Sequence, residues 1–332
     1  MKFIITAALA ALACGVTAEI PEESVQLPSF MQQVSMSPRS KFPSVTEKDP
    51  LVMQLMAEIS QFELLSDLET LTQTFHTRNS YSQEVHDTQH MLERYYAKLS
   101  RDFEISTLAY NADEAENVIA VLPGTNPDLP AVLVGAHYDS RMEDVDDAHS
   151  RAPGADDDGS GTVALLALAR AVIRLRERGI KFSRSIRFVH FCGEEQGLHG
   201  SIALAKHYFL HNVPLYAMLN MDMLGFQAGD RIVAGFKDAR VSKSLTQASM
   251  DYIHTYMPGL PTEYSSSCCS DYMPFFAAGY DVVGFFESAK TASDYPYYHT
   301  SEDTVDKVNV FQMQLLTQAI ASVLGTLTHM HN

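Results

Sequence analysis

Histidine and carboxylate side chains recur in this sequence shortly after apolar stretches. The residues concerned are His137, Asp157, Glu195, Asp222 and His299. Imidazole and carboxylate groups are ligands suited to zinc, and a site for two metal ions needs several of them, with one carboxylate shared between the ions. Two divalent ions would bring four positive charges against the three carboxylates of the set. The residue types therefore predict a two-metal centre of the kind that hydrolases use.

The stretch Gly154–Ser160, GADDDGS, places three consecutive aspartates before an apolar helix. Adjacent carboxylates repel one another, and a buried carboxylate is costly unless it is paired or bound to a metal. A metal ion on one aspartate removes that cost, and the positive end of the helix that starts near Asp158 favours anions. The aspartates could instead only cap the helix. The combination of this stretch with the other ligand candidates favours the metal site.

The elements that must position these residues alternate between strands and helices. Short apolar runs predict strands at residues 117–122, 131–136, 185–192, 215–221 and 282–286, and longer apolar patterns predict helices at 162–175, 198–210 and 308–327. This alternation is typical of an α/β domain with a mostly parallel, twisted central sheet and helices on both faces. In such sheets ligands bind beyond the carboxyl ends of the strands, where the histidines and carboxylates stand.

The chain divides into three predicted parts. Residues 1–18 combine Lys2, an apolar run and a small-residue end, which indicates a secretory signal peptide. Residues 19–47 are rich in proline and lack periodicity, which indicates an extension or pro-segment. Residues 48–332 form the predicted catalytic domain. We expect a secreted, extracellular protein, with the periplasm as an alternative location, and no membrane association.

Five stretches together resemble the co-catalytic di-zinc aminopeptidase family, which includes secreted leucyl aminopeptidases of bacteria and fungi. They are residues 135–140 (GAHYDS), 153–161 (PGADDDGSG), 194–201 (EEQGLHGS), 220–223 (NMDM) and 298–304 (YHTSEDT). The resemblance implies a zinc exopeptidase-like fold and two Zn²⁺ ions per chain. Asp157 would bridge the two ions and precede a cis peptide bond to Asp158. His137 and Asp222 would complete the coordination of one ion, and Glu195 and His299 that of the other.

The resemblance also implies catalytic roles for two further residues. Glu194 would be the general base that takes a proton from water, and Asp139 would accept a hydrogen bond from His137 and so orient it. The substrates would be peptides with a free N-terminus and an apolar, leucine-like first residue. Met223 and Phe286 could line the pocket for that residue or could only pack in the core. We expect a monomer.

The loop from Tyr264 to Asp271 departs from the family pattern. Aligning Cys269 with the second of two family cysteines leaves Ser265 at the first, and Ser267 replaces an aromatic residue between them. The expected disulfide and the pocket shape are therefore open at this point. A bond between the adjacent Cys268 and Cys269 would be uncommon, and Cys192, at a strand end, is expected to be a buried thiol.

Other functions remain to be weighed against the aminopeptidase. A glutaminyl cyclase-like transferase shares the fold, but it uses one zinc and active-site tryptophans, whereas this chain has the full ligand set and no tryptophan. A carboxypeptidase relative would carry extra domains and basic carboxylate-binding residues. A non-catalytic binding protein on this fold would have lost ligands. Nucleic acid is excluded as a partner because the formal net charge is −17.

Overall fold

The computed structural model describes residues 41–332. The predicted signal peptide at 1–18 and most of the predicted extension at 19–47 lie outside the described residues. The last part of that extension, residues 41–47, lies against the domain. Phe42 is buried and packs edge-on against Tyr216, and the Tyr252 hydroxyl donates to the Pro43 carbonyl at 2.6 Å.

The described chain contains eight α-helices and ten strands. The helices are α1 (Pro50–Ala57), α2 (Gln61–Thr74), α3 (Gln83–Leu99), α4 (Gly161–Glu177), α5 (His199–Leu210), α6 (Lys243–Tyr256), α7 (Tyr272–Ala277) and α8 (Val310–Thr328). The strands are β1 (Glu104–Leu108), β2 (Asn117–Leu122), β3 (Ala131–His137), β4 (Lys181–Phe182), β5 (Ile186–Phe191), β6 (Leu215–Met221), β7 (Ala234–Lys237), β8 (Thr262–Ser265), β9 (Val282–Phe286) and β10 (Met330–His331).

Eight of these strands form one central sheet in the order β1-β2-β5-β3-β6-β9-β7-β8, and β4 pairs with β10. The four central strands β5, β3, β6 and β9 run parallel to one another. The pairs β1–β2, β2–β5 and β7–β9 are antiparallel, and β7–β8 is parallel. The sheet is thus mixed, with a parallel centre whose carboxyl ends meet at one edge.

Helices cover both faces of the sheet, as the sequence predicts. Successive side chains along a strand point to opposite faces, and in β3 Val132 and Val134 belong to one core cluster while Ala131 and Leu133 belong to the other. The larger core contains residues of α1–α4, α6 and α8, and the smaller core contains residues of α5 and α7. The prediction of one α/β domain is confirmed.

The helix α8 shows why apolar length alone does not identify a membrane span. Among the described residues it is the one helix long and apolar enough to cross a membrane, and most of it is buried inside the protein. It packs against α1, α2, α4 and α6. Its apolar sequence is explained by this burial on several sides.

Candidate active site

The five predicted metal ligands converge beyond the carboxyl ends of the central strands. His137 is the last residue of β3, Asp222 directly follows β6, and Glu195 follows β5 after a short turn. Asp157 lies in the turn Ala155–Ser160 that leads into α4, and His299 lies in the loop before α8. The structure brings them into two groups, His137–Asp157–Asp222 and Asp157–Glu195–His299. Within each group the potential ligand atoms lie within 4.8 Å of one another.

Asp157 belongs to both groups and stands between the two histidines. Its Oδ1 lies 3.3 Å from His137 Nε2, and its Oδ2 lies 3.2 Å from His299 Nε2. Burial alone would raise the pKa of Asp157, but its contacts with His137 and His299 outweigh burial and hold that pKa below its usual range. One carboxylate with an oxygen directed at each histidine is the arrangement required to share two ions.

Asp139 contacts both sides of the site. The Nδ1 of His137 lies 3.2 Å from the Asp139 carbonyl oxygen and 3.5 Å from the carboxylate oxygen Oδ1. The carboxylate also accepts the backbone N–H of Glu195 at 3.1 Å and that of Glu194 at 3.4 Å. Asp139 therefore fixes the His137 ring and also the turn that carries the two glutamates.

Glu195 has one oxygen engaged and one oxygen free. Arg141 Nε donates to Oε2 at 2.8 Å, and His299 Nε2 lies 3.1 Å from the same oxygen. The other oxygen, Oε1, is buried and has no hydrogen-bond partner among the described residues. Because a buried carboxylate oxygen is costly to leave unpaired, this orphaned atom fits a site completed by a cation. The histidine and carboxylate donors also fit zinc.

Glu194 is the neighbouring carboxylate, and it lines a cavity together with His137, Asp157 and Asp222. Burial raises its pKa well above the usual glutamate value, and the charges of Glu195, Asp271 and Asp222 raise it further, whereas His137 acts in the opposite direction. A carboxylate with a raised pKa is a better proton acceptor than an ordinary surface glutamate.

The two outer aspartates of the GADDDGS stretch hold backbone. Asp158 Oδ1 accepts the N–H groups of Gly161, at the start of α4, and of Met223, which follows Asp222. Asp156 Oδ1 accepts the Gly225 N–H at 2.7 Å. The Asp157–Asp158 peptide bond is cis, as the resemblance implies. Gly154 has φ +50, and a Cβ there would collide with the Asp157 carbonyl oxygen.

Two further residues organise this turn, and the sequence analysis assigned neither of them a role. The buried Arg78 donates to the carbonyls of Tyr138, Pro153 and Gly154, and burial lowers its pKa to about 10. The carboxylate of Asp303 accepts the N–H groups of Asp156 and Asp157. Asp303 stands in the YHTSEDT stretch quoted for the resemblance, whereas no pattern around Arg78 points to the site.

A profile of Peptidase family M28 matches residues 117–324, which is more than half of the chain. The chain belongs to peptidase family M28. Leucine aminopeptidase 1 of Grosmannia clavigera is 33% identical over 289 residues, covering 82% of this chain and 69% of that protein. A probable leucine aminopeptidase of Trichophyton verrucosum is 28% identical, covering 82% and 75%. The predictions of an enzyme and of the zinc aminopeptidase family are confirmed.

Solved structures agree with the M28 assignment at the level of the fold. The Legionella pneumophila LapA aminopeptidase superposes with a TM-score of 0.77 at 22% identity, covering 88% of this chain and 78% of that chain. An Acidobacteriales bacterium glutaminyl cyclase superposes with a TM-score of 0.66 at 20% identity, covering 86% and 98%. The glutaminyl cyclase alternative therefore shares the fold of this chain, and only the chemistry of the site can distinguish an aminopeptidase from a cyclase.

The M28 site opens into a small cavity. Its lining includes the candidate site residues His137, Asp157, Glu194 and Asp222, together with Met223, Lys237, Ser267, Cys268, Cys269, Ala292 and Tyr298. Met223 thus lines the pocket, while Phe286 lies beneath the ammonium of Lys237, 3.9 Å from ring centre to Nζ. Lys237 was missed in the sequence because β7 itself was not predicted.

The cysteines of the pocket loop differ from expectation. Cys268 and Cys269 are joined by a disulfide, although adjacent cysteines seldom bond, and Cys192 is a buried free thiol as expected. Cys269 has φ 84, a left-handed conformation. This local turn brings the two neighbouring sulfur atoms together, a conformation that the sequence alone does not reveal.

Proposed function

We propose that this M28 protein removes the N-terminal residue from peptides by using two zinc ions and Glu194 as the general base. The observation that carries the proposal is the position of Asp157. It is the one residue common to both candidate ligand groups, with one oxygen towards His137 and the other towards His299. A single-metal site has no need of a second group built on a shared carboxylate.

The candidate site residues would have two kinds of role, metal binding and proton transfer. His137, Asp157 and Asp222 would hold one ion, and Asp157, Glu195 and His299 the other. When bound, the ions would supply a water of lowered pKa and polarise the scissile carbonyl. Glu194 would accept the proton of the attacking water and then deliver it to the leaving amine, which balances the hydrolysis of one peptide bond. The acidic wall of the cavity would bind the substrate's α-ammonium group.

The preferred N-terminal residue has separate support. One relative is named as a leucine aminopeptidase and another as a probable leucine aminopeptidase. Met223 and Ala292 are apolar residues among those that line the cavity. We propose that an apolar residue of the size of leucine enters the pocket. Secretion rests on residues 1–18 alone, and a monomer with peptide substrates remains our working proposal for the assembly.

The test compares two adjacent glutamates with the same substitution. Glu194→Gln keeps the shape and removes the base, so kcat on a leucyl chromogenic substrate should fall at least ~100-fold with two zinc ions retained. Glu195→Gln should instead lose zinc. Zinc per chain is measured by elemental analysis beside kcat, before and after chelation.

The zinc content and kcat together distinguish a metal ligand from a general base. Full activity with one zinc per chain would contradict the two-ion proposal. A Glu194→Gln protein that keeps a substantial fraction of kcat, or that loses zinc, would show that the base lies elsewhere. Formation of pyroglutamate from an N-terminal glutamine peptide, without hydrolysis, would favour the glutaminyl cyclase alternative.

A further inference from the structure

A lysine is buried at the wall of the substrate cavity. Lys237 is the last residue of β7, and only 1% of its surface is exposed. It lines the same cavity as Glu194, Asp157 and Asp222. A fully buried lysine is rare unless it is paired with an anion, so the partners of its ammonium group decide what it does.

The described residues only partly satisfy that ammonium group. Nζ donates to Ser267 Oγ at 2.9 Å and lies 3.9 Å from the centre of the Phe286 ring. The nearest carboxylate oxygen, Asp222 Oδ2, is 3.8 Å away, which is beyond hydrogen-bond distance. Of three donors, one therefore has a hydrogen-bond acceptor among the described residues.

Asp222 is a poor counter-ion for Lys237 in the working enzyme. The proposed function makes Asp222 a metal ligand, and its charge would then be neutralised by the ion. The ammonium would remain buried without an anion, which is costly. The Lys237 ammonium, backed by the Ser267 hydroxyl, thus stands beside the Asp222 carboxylate on the cavity wall, and two of its N–H donors have no acceptor among the described residues.

We propose that Lys237 makes the pocket accept an acidic N-terminal residue, glutamate or aspartate, in addition to the leucine-like residue, and prefer that acid to its uncharged amide. This inference rests on the proposed function. The α-ammonium of the substrate would lie among the cavity carboxylates, which include Glu194, and the side-chain carboxylate would lie at Lys237 Nζ. The Ser267 hydroxyl would donate to the same carboxylate. A pocket that admits leucine would also admit the stem of glutamate, and Lys237 would distinguish glutamate from glutamine by charge.

The experiment uses substrates that differ in one charge. Glutamyl, glutaminyl and leucyl chromogenic amides are compared in kcat/KM, and the binding of free glutamate and glutamine is measured by calorimetry with the zinc-loaded and the zinc-free protein. Glutamate and glutamine have nearly the same shape. A charge-assisted hydrogen bond should give roughly a tenfold to hundredfold preference for glutamate over glutamine. Lys237→Met, which keeps the stem and removes the charge, should abolish that preference.

Lys243→Met is the matched control, because it is the same substitution at an exposed position on α6. It should leave the glutamate preference intact. If wild-type protein does not prefer glutamate over glutamine, or if Lys237→Met lowers kcat/KM equally for all three substrates, the inference is overturned and the aminopeptidase proposal stands. If no amide is hydrolysed, the proposed function fails, and the calorimetric comparison of glutamate with glutamine still decides the inference.

Discussion

The carboxylate of Asp303 accepts the backbone N–H of Asp157 at 3.1 Å, across 146 positions of the chain. Its other oxygen accepts the N–H of Asp156 at 2.9 Å and the Tyr295 hydroxyl at 2.7 Å. The residue proposed to bridge two zinc ions is therefore held through its backbone by a carboxylate that does not itself belong to either ligand group. The orientation of the bridge depends on Asp303.

Replacing Asp303 by asparagine tests this dependence. The amide group presents an N–H₂ to one of the two backbone donors, so that one hydrogen bond is lost and two donors face each other. Residues that orient metal ligands typically contribute 10–100-fold in affinity, and we expect zinc affinity to weaken by about that factor. Competition with a chelating indicator measures it. Tyr295→Phe is the control, since it keeps both backbone bonds, and unchanged zinc affinity in Asp303→Asn would contradict the argument.

The shared carboxylate predicts unequal effects of ligand removal. His137→Ala removes a ligand from one group, so the protein should retain about one zinc per chain. Asp157→Asn removes a ligand from both groups and should leave less than one. Elemental analysis after dialysis gives the counts, and His90→Ala, at an exposed position on α3, is the control. Equal zinc loss in the two site variants would exclude Asp157 as the common ligand.

Arg78 connects the loop after β3 to the turn before α4. Arg78→Leu leaves three buried carbonyls without their donor, and each unsatisfied buried group costs about 1–3 kcal/mol. We expect the free energy of unfolding to fall by roughly 3 kcal/mol or more on that scale. Urea unfolding of the zinc-free proteins measures it, with the exposed Arg94→Leu as the control. If Arg78→Leu lowers the free energy of unfolding no more than the control does, the two loops do not depend on Arg78 for their stability.

The sequence could point to the five candidate ligands because His137, Glu195 and Asp222 lie close to strand ends, whereas Asp157 and His299 stand in two of the stretches that carry the family resemblance. It could not predict Arg78 and Asp303, because their roles are hydrogen bonds to residues between 60 and 147 positions away. Lys237 was missed for a different reason. The strand Ala234–Lys237 has glycine and lysine at two of its four positions, and all four are buried. Neither residue favours a buried strand.

The contacts of residues 41–47 allow a test of where the folded domain begins. The Lys41 ammonium forms an ion pair with Asp281 at 2.6 Å, and the backbone carbonyl of Lys41 accepts a hydrogen bond from the Tyr216 hydroxyl. The next residue, Phe42, is buried. A protein starting at residue 41 should therefore be as stable as one starting at residue 19. A protein starting at residue 48 should lose roughly 2–3 kcal/mol, the value of one buried phenylalanine and its neighbouring hydrogen bonds.

Chemical denaturation of the three proteins provides the comparison. Equal stability of the proteins starting at residues 41 and 48 would show that residues 41–47 only rest on the surface. A loss already present at residue 41 would mean that residues 19–40 contribute to the fold.

The bond between Cys268 and Cys269 is part of the cavity wall. Such bonds persist outside the cell and are lost in reducing compartments. In the cytosol the same polypeptide would present two thiols at the mouth of its binding site, next to Ser267 and Lys237. The redox state of the compartment in which the protein matures therefore sets the chemistry of this part of the cavity wall.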